Sequence, residues 1–312
     1  MFETSLRALE ARLREREPGL HLERDAVMAG YTTLHLGGPA DLLAHPSTPE
    51  QLRLLLTESH DAGVPVTVIG HGSNLVVRDG GVRGLVIRVC REMDGLEVSG
   101  DRIRVMAGTM MSVLAMTAAN SNLGGLTFAS GIPGTVGGGV YMNAGAYEGE
   151  MSQVVTLVEG FDMDGTPFRY TRPEMRFSHR YSRLMDERKI VTQVTFQLPQ
   201  GKRAELLAEM VELNKRRAEK QPLTIPSAGS TFKRPVGGYA SQLIDQCGLK
   251  GYSIGKAQVS EKHAGFLVNR GGTAADFLAL IAHVQKVVHE QKGIWLEPEV
   301  RIIGEDVGVT AV

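Results

Sequence analysis

Apolar residues recur at Phe2, Leu6, Leu9 and Leu13, the spacing of one helix face, and Pro18-Gly19 ends the run. This predicts a helix over residues 2–16. A second is predicted from Thr48, which can cap it, with Pro49 in the first turn and Gln51 completing a capping box. It runs through Leu52, Leu55 and Leu56 to Gly63. Short β-branched runs predict strands at 66–69, 75–77 and 85–89. Residues 94–107 read as a hairpin turning at Gly100-Asp101, and 110–120 as a helix closed by Gly124-Gly125. A second hairpin, 154–161 with 168–170, turns at Asp164-Gly165, and 190–198 is a long strand. Beyond Gly201 the pattern predicts a charged helix over 204–220 and an extended linker over 221–226, bounded by Pro222 and Pro226. Helices near 239–247 and 273–292 and strands at 257–260, 265–269 and 294–303 complete the chain. Strands and helices do not alternate regularly, which makes the fold α+β and excludes a TIM barrel or doubly wound sheet. Domain boundaries fall near residues 88 and 202, dividing the chain into 1–87, 88–202 and 203–312.

Composition narrows the ligand class. A formal net charge of -1 over 312 residues leaves no basic excess for a run of phosphates, and aromatic residues are only 5%. Nucleic acid is therefore not an expected partner. A phosphate-bearing ligand must be held locally, by backbone N–H groups or a few aimed cations. The two cysteines, Cys90 and Cys247, read as free thiols, and the nine histidines show no H-E-x-x-H spacing, so no metal is expected. The first residues are charged and lack an apolar core, and no apolar run approaches the roughly 20 residues of a membrane span. The expectation is a cytoplasmic chain without a membrane partner.

Two glycine-rich segments stand out. One is Gly70-His71-Gly72-Ser73-Asn74. The other runs Gly131-Ile132-Pro133-Gly134-Thr135-Val136-Gly137-Gly138-Gly139 and on to Asn143-Ala144-Gly145-Ala146. Successive N–H groups in such turns form anion-binding concavities, which suits a diphosphate in a protein without a basic patch. The bland alternative is a set of tight turns between strands. Neither segment is a G-x-G-x-x-G fingerprint or a phosphate-binding P-loop: Leu75 stands where the third glycine would belong. Four further sites carry reactive groups. Ser230 follows Gly229 just after the linker. Arg180 lies among aromatic and hydroxyl residues. Glu299 sits in an apolar strand pattern, on the face opposite Val300 and Ile302 if the alternation holds. Lys262-His263 precedes a β run. Spacing alone leaves each open between a surface or turn role and a ligand contact.

Taken in order, these segments resemble a known family. TLHLGGPAD over 33–41, Gly70 to Leu75, Gly131 to Gly138, Tyr141 to Tyr147, Gly229-Ser230-Thr231-Phe232, Ser260 to Asn269 and Leu296 to Arg301 are similar to the motifs of the UDP-N-acetylenolpyruvoylglucosamine reductases, in its shorter subclass without the tyrosine-bearing insertion. The resemblance spans about residues 30–304. It implies two FAD-binding subdomains of the PCMH type followed by a third, substrate-binding α+β domain. It also implies non-covalent FAD, NADPH as reductant, a UDP-sugar substrate and a monomer. Gly70, His71, Gly72, Ser73, Asn74, Gly131, Ile132, Pro133, Gly134, Thr135, Gly137, Gly138, Asn143, Gly145 and Ala146 would line the flavin. Arg180 and Glu299 match the enolate-stabilising pair and Ser230 the proton donor. Lys233, Arg234 and Lys262 are the candidates for the UDP moiety. The chain departs from the commonest pattern at His179 and Arg234. Two rivals stay open: another FAD oxidoreductase on the same fold, of the alcohol or lactone oxidase type, and a non-catalytic UDP-sugar binding protein.

Overall fold

The computed structural model describes residues 2–308. The chain forms two compact units, each built from three stretches: residues 1–24, 42–71 and 84–216 in the first, 25–41, 72–83 and 217–312 in the second. Each has its own apolar core.

In the first unit, helix Phe2–Arg16 buries Leu6, Leu9 and Leu13, and helix Pro49–Asp61 buries Leu52, Leu55 and Leu56. Each such leucine removed from water is worth about 1.5–3 kcal/mol. Both helices stand where the periodicity puts them. Thr48 Oγ1 accepts from Gln51 N at 3.2 Å as expected, but the capping box does not close. Gln51 Oε1 reaches one residue further back, accepting from Ser47 N and Ser47 Oγ. Helix Met111–Asn120 ends before Gly124-Gly125. Asn122 takes the left-handed conformation (φ +57°), Asn122 N donates to Ala119 O and Leu123 N to Ala118 O. This is a Schellman closure with asparagine in glycine's place.

A five-stranded antiparallel sheet runs Pro167–Thr171, Val155–Phe161, Ile190–Gln197, Arg102–Met106, Leu96–Ser99. Both expected hairpins are in it. A four-stranded sheet runs His21–Val27, Pro39–His45, Val82–Arg88, Val66–Ile69. Its first two strands went unread in the sequence, because HLERDAV buries only Leu22 and Ala26 and shows no sustained alternation.

In the second unit, strands Ser227–Ser230, Phe266–Asn269, Ala257–Val259 and Ser253–Ile254 form one sheet in that order. Helix Ala274–Lys292 buries Phe277, Leu280, Ile281, Val284 and Val288, a helical stripe. Thr273 and Asp276 close a capping box at its start, Asp79 accepts from Ala274 N and Ala275 N, and Gly293 (φ +69°) ends it. The segment expected as an extended linker is turned instead: Ile225 N donates to Pro222 O at 3.2 Å. The expected strand 294–303 shrinks to Arg301–Ile303, which pairs in parallel with Leu75–Val77. Pro298 has no N–H for a ladder. The expected alternation fails too, because Val300 is buried while Ile302 is 39% exposed.

Candidate functional site

In the first unit the second glycine-rich segment is not a simple loop: Val136–Tyr141 is a short helix of sequence VGGGVY. Glycine costs a helix about 1 kcal/mol per residue, so something must require it. A Cβ on Gly137 would lie 2.9 Å from Ala107 Cβ, and one on Gly139 would lie 2.8 Å from Met111 Sδ. These two glycines let the helix pack closely. The helix N–H groups are also engaged. Val136 N donates to Thr109 O, Gly137 N to Ala107 O and Gly138 N to Thr135 Oγ1. The anion-binding concavity expected over 136–138 is therefore filled by the protein itself.

What stays open lies just before the helix. Gly134 has φ +132°, a region only glycine enters readily. Among the described residues, Gly134 N and Thr135 N make no backbone hydrogen bond. Beside them, a Cβ on Gly70 would lie 2.6 Å from Thr135 Oγ1, so the first glycine loop approaches the second closely. His71 Nδ1 is buried without a hydrogen-bond partner, a costly state for a polar atom unless a ligand supplies one. Burial, with Arg88 and Arg91 nearby, holds the His71 ring below the ordinary histidine range, so at neutral pH it is uncharged. Two free donors, a glycine approach and an orphaned imidazole nitrogen fit a diphosphate-bearing cofactor such as FAD.

Arg180 lies in the same unit. Ser178 and Tyr181 exchange backbone hydrogen bonds of 3.1 Å around His179-Arg180, a two-residue turn. Arg180 itself has φ +54°, a conformation a long side chain rarely adopts. Backbone strain of this kind persists where surrounding contacts over-determine it. Here they come from the Asn143–Ala146 segment. The fully buried Asn143 donates from Nδ2 to Ser178 O and accepts at Oδ1 from Ser152 N, both at 2.9 Å. Ser182 Oγ donates to Tyr141 O, and Arg180 Nη2 to Gly145 O at 3.2 Å. The structure thus brings Arg180, Asn143 and Gly145 together. Gly145 and Ala146 pair with Glu150 and Gly149. The role of Asn143 as a latch for this turn was not read from the sequence, which offered it only as a flavin contact.

In the second unit, Ser230 ends a strand interrupted by a bulge: Ser227 pairs with Val268 but Ser230 with Phe266, so Ala228-Gly229 oppose Leu267 alone. Gly229 has φ +78°. A bulge re-aims the side chain that follows it. Ser230 Oγ is only lightly engaged, donating to Phe232 O at 3.3 Å. The next residue, the buried Thr231, ties three segments: Thr231 N donates to Gly265 O, Thr231 Oγ1 accepts from Leu267 N, and Thr231 O accepts from Glu299 N. Ser230 and Glu299 are therefore backbone neighbours. Asn74 Nδ2 donates to Glu299 O at 3.2 Å, and Asn74 O accepts from Arg301 N. A Cβ on Gly72 (φ +74°) would lie 2.2 Å from Tyr31 O, so only glycine fits there.

The three UDP candidates do not converge on one another. Lys233 Nζ pairs with Glu297, the Arg234 guanidinium stacks 4.1 Å from the Tyr239 ring, and Lys262 Nζ donates to Ala218 O near the end of helix Arg203–Lys220. His263 Nδ1 accepts from Gly265 N, and burial lowers the proton affinity of its ring.

Residues 40–171 match the family model described as an FAD binding domain. With the mixed α+β fold and the flavin-ready loops, this defines the chain as a flavoprotein of the FAD-binding oxidoreductase class. Residues 221–303 match the C-terminal domain of UDP-N-acetylenolpyruvoylglucosamine reductase. The chain is 48% identical over 283 residues to the UDP-N-acetylenolpyruvoylglucosamine reductase of Clostridium botulinum strain Hall, covering 90% of this chain and 92% of that one. It is 46% identical over 290 residues to the enzyme of that name from Levilactobacillus brevis, covering 93% and 95%. The crystal structure of the reductase from Thermus caldophilus superposes with a TM-score of 0.79 at 38% identity, covering 91% of this chain and 99% of that one. The chain belongs to the UDP-N-acetylenolpyruvoylglucosamine reductase family.

Proposed function

We propose that this chain reduces UDP-N-acetylglucosamine enolpyruvate to UDP-N-acetylmuramate with NADPH, a step in making peptidoglycan precursor. FAD, held non-covalently, would supply the two-electron redox chemistry that links NADPH to the enolpyruvyl group. The protein's part is to place donors where charge and protons are needed. In this reading Gly134 N, Thr135 N and the loop Gly70–Asn74 hold the diphosphate. The Arg180 guanidinium binds the substrate carboxylate and stabilises charge as it builds there. Glu299 supports the same enolate. Ser230 delivers a proton to the second enolpyruvyl carbon.

The observation that carries the assignment of Ser230 is the bulge at Ala228-Gly229, which turns a lightly bonded hydroxyl out of its ladder beside the Glu299 backbone. Residues 1–87 and 88–202 are the two flavin-binding subdomains in this reading and 203–312 the substrate domain. Lys233, Arg234 and Lys262 are the cations on offer to the UDP group. The enzyme works as a monomer in the cytoplasm, with no nucleic-acid or membrane partner. Among the described residues no helix is long and apolar enough to cross a membrane, which supports the last point.

The test is an anaerobic stopped-flow trace of the visible flavin band. NADPH should bleach it and the enolpyruvyl UDP-sugar should restore it. Bleaching without recovery would keep the flavoenzyme and discard the substrate.

A further inference from the structure

On strand His21–Val27, His21 and Glu23 project to one face, because side chains two apart share a side. The neighbouring strand, Pro39–His45, ends on His45. Glu23 Oε1 lies 3.0 Å from His45 Nε2 and 3.5 Å from His21 Nε2. One ligand atom from each of the three residues falls within 4.8 Å of the other two. A tetrahedral Zn2+ with bonds of about 2.0–2.1 Å sets its ligand atoms about 3.3 Å apart. Two of the separations already bracket that value.

The remaining separation is between the imidazoles, which stack with centroids 4.8 Å apart. It can close by rotation of His21, whose side chain is 63% exposed, against His45, which is 3% exposed and fixed by packing. On the far side of the His45 ring, Glu92 Oε1 stands 3.8 Å from Nδ1. That is too far for a hydrogen bond, so Glu92 contributes only negative charge, which favours a bound cation. Arg88, 3.7 Å from Glu92, opposes a cation, but one guanidinium faces two carboxylates.

We propose that His21, Glu23 and His45 form a binding site for a divalent transition metal of the Zn2+ class, with solvent completing its coordination. Two imidazole nitrogens and one carboxylate oxygen are a borderline-soft donor set that selects zinc and its neighbours over magnesium or calcium. The site ties the starts and ends of two adjacent strands, so metal binding adds stability to the folded state by mass action. No helical metal motif announces it: the pattern is H-x-E on one strand and a single histidine on the next.

The experiment uses chelator-treated, flavin-loaded enzyme titrated with ZnCl2 against a chromophoric chelator. We expect one zinc equivalent, and His21→Ala and Glu23→Gln should each weaken it by roughly tenfold or more. Both side chains are partly exposed, so urea midpoints in the presence of chelator should match the parent. Co2+ should give the visible absorption of a four-coordinate ion beyond the flavin band, lost in His21→Ala. Zinc binding unchanged in both variants, or no binding in the parent, would overturn the site.

Discussion

Arg180 stands at the second position of a two-residue turn with φ +54°, its backbone held by side chains from another segment. Ser230 ends a strand and Glu299 lies just before another, each tied through the Thr231 peptide and its neighbours. The first arrangement depends on a few side-chain hydrogen bonds around a strained residue. The second depends mostly on main-chain hydrogen bonds, to which Thr231 Oγ1 and Asn74 Nδ2 add. The two arrangements should therefore respond unequally to mutation: chemistry and stability separate cleanly at Ser230 and travel together around Arg180.

The largest effect expected is on the proton-transfer step. Ser230→Ala should leave flavin reduction by NADPH intact and slow reoxidation by the UDP-sugar by about 10²- to 10⁴-fold, the usual worth of a positioned acid. Its unfolding midpoint should stay where it was, because Ser230 Oγ has a single long hydrogen bond. Equal slowing of both half-reactions would remove Ser230 from the mechanism and break the comparison.

Next comes the latch. Asn143→Ala leaves Ser178 O and Ser152 N without their buried partner, which should cost about 1–3 kcal/mol. With Arg180 still present, reoxidation should slow as well. Arg180→Ala and Arg180→Gly should slow it equally, yet the glycine variant should be the more stable by about 1 kcal/mol, since only it relaxes the left-handed backbone. Equal stability of the two would show that the turn carries no strain.

The smallest effect is with pH. His71 and His263 are both held below the ordinary value of about 6.5, mainly by burial. The unfolded chain therefore binds protons before the folded one. The stability at stake is complete above about pH 6.5 and is lost as pH falls through the depressed folded values. Urea denaturation on either side of that window, compared between the parent and His71→Gln, measures it; a variant with the parent's slope would show that the ring is not buried uncharged.

Much of the scaffold was legible. The helices 2–16, 49–61, 111–120 and 274–292 carry three- and four-residue apolar spacing with caps or breakers at their ends, and both hairpins in the first unit are marked by glycine at the turn. What escaped had its local signal overridden. The helix Val136–Tyr141 hides behind glycines that close packing requires, not chain flexibility. Strand His21–Val27 shows too few apolar residues, and the strand expected over 294–303 forms only beyond Pro298, at Arg301–Ile303. The candidate site was read as motifs in order. Its supports were not, because Asn143 and Thr231 act through contacts distant in sequence.

The strand pair Leu75–Val77 with Arg301–Ile303 joins segments far apart in the sequence. During synthesis the first strand leaves the ribosome long before its partner exists. The second unit cannot finish folding until its last stretch, which starts at residue 217, has been made. Until then the strand at 75–77 presents an open edge, the kind of surface that pairs with the wrong chain. Emergence of residues 301–303, not of the first two hundred residues, sets when this edge is covered. Slowing translation between these two strands should lengthen that exposure and its demand on chaperones.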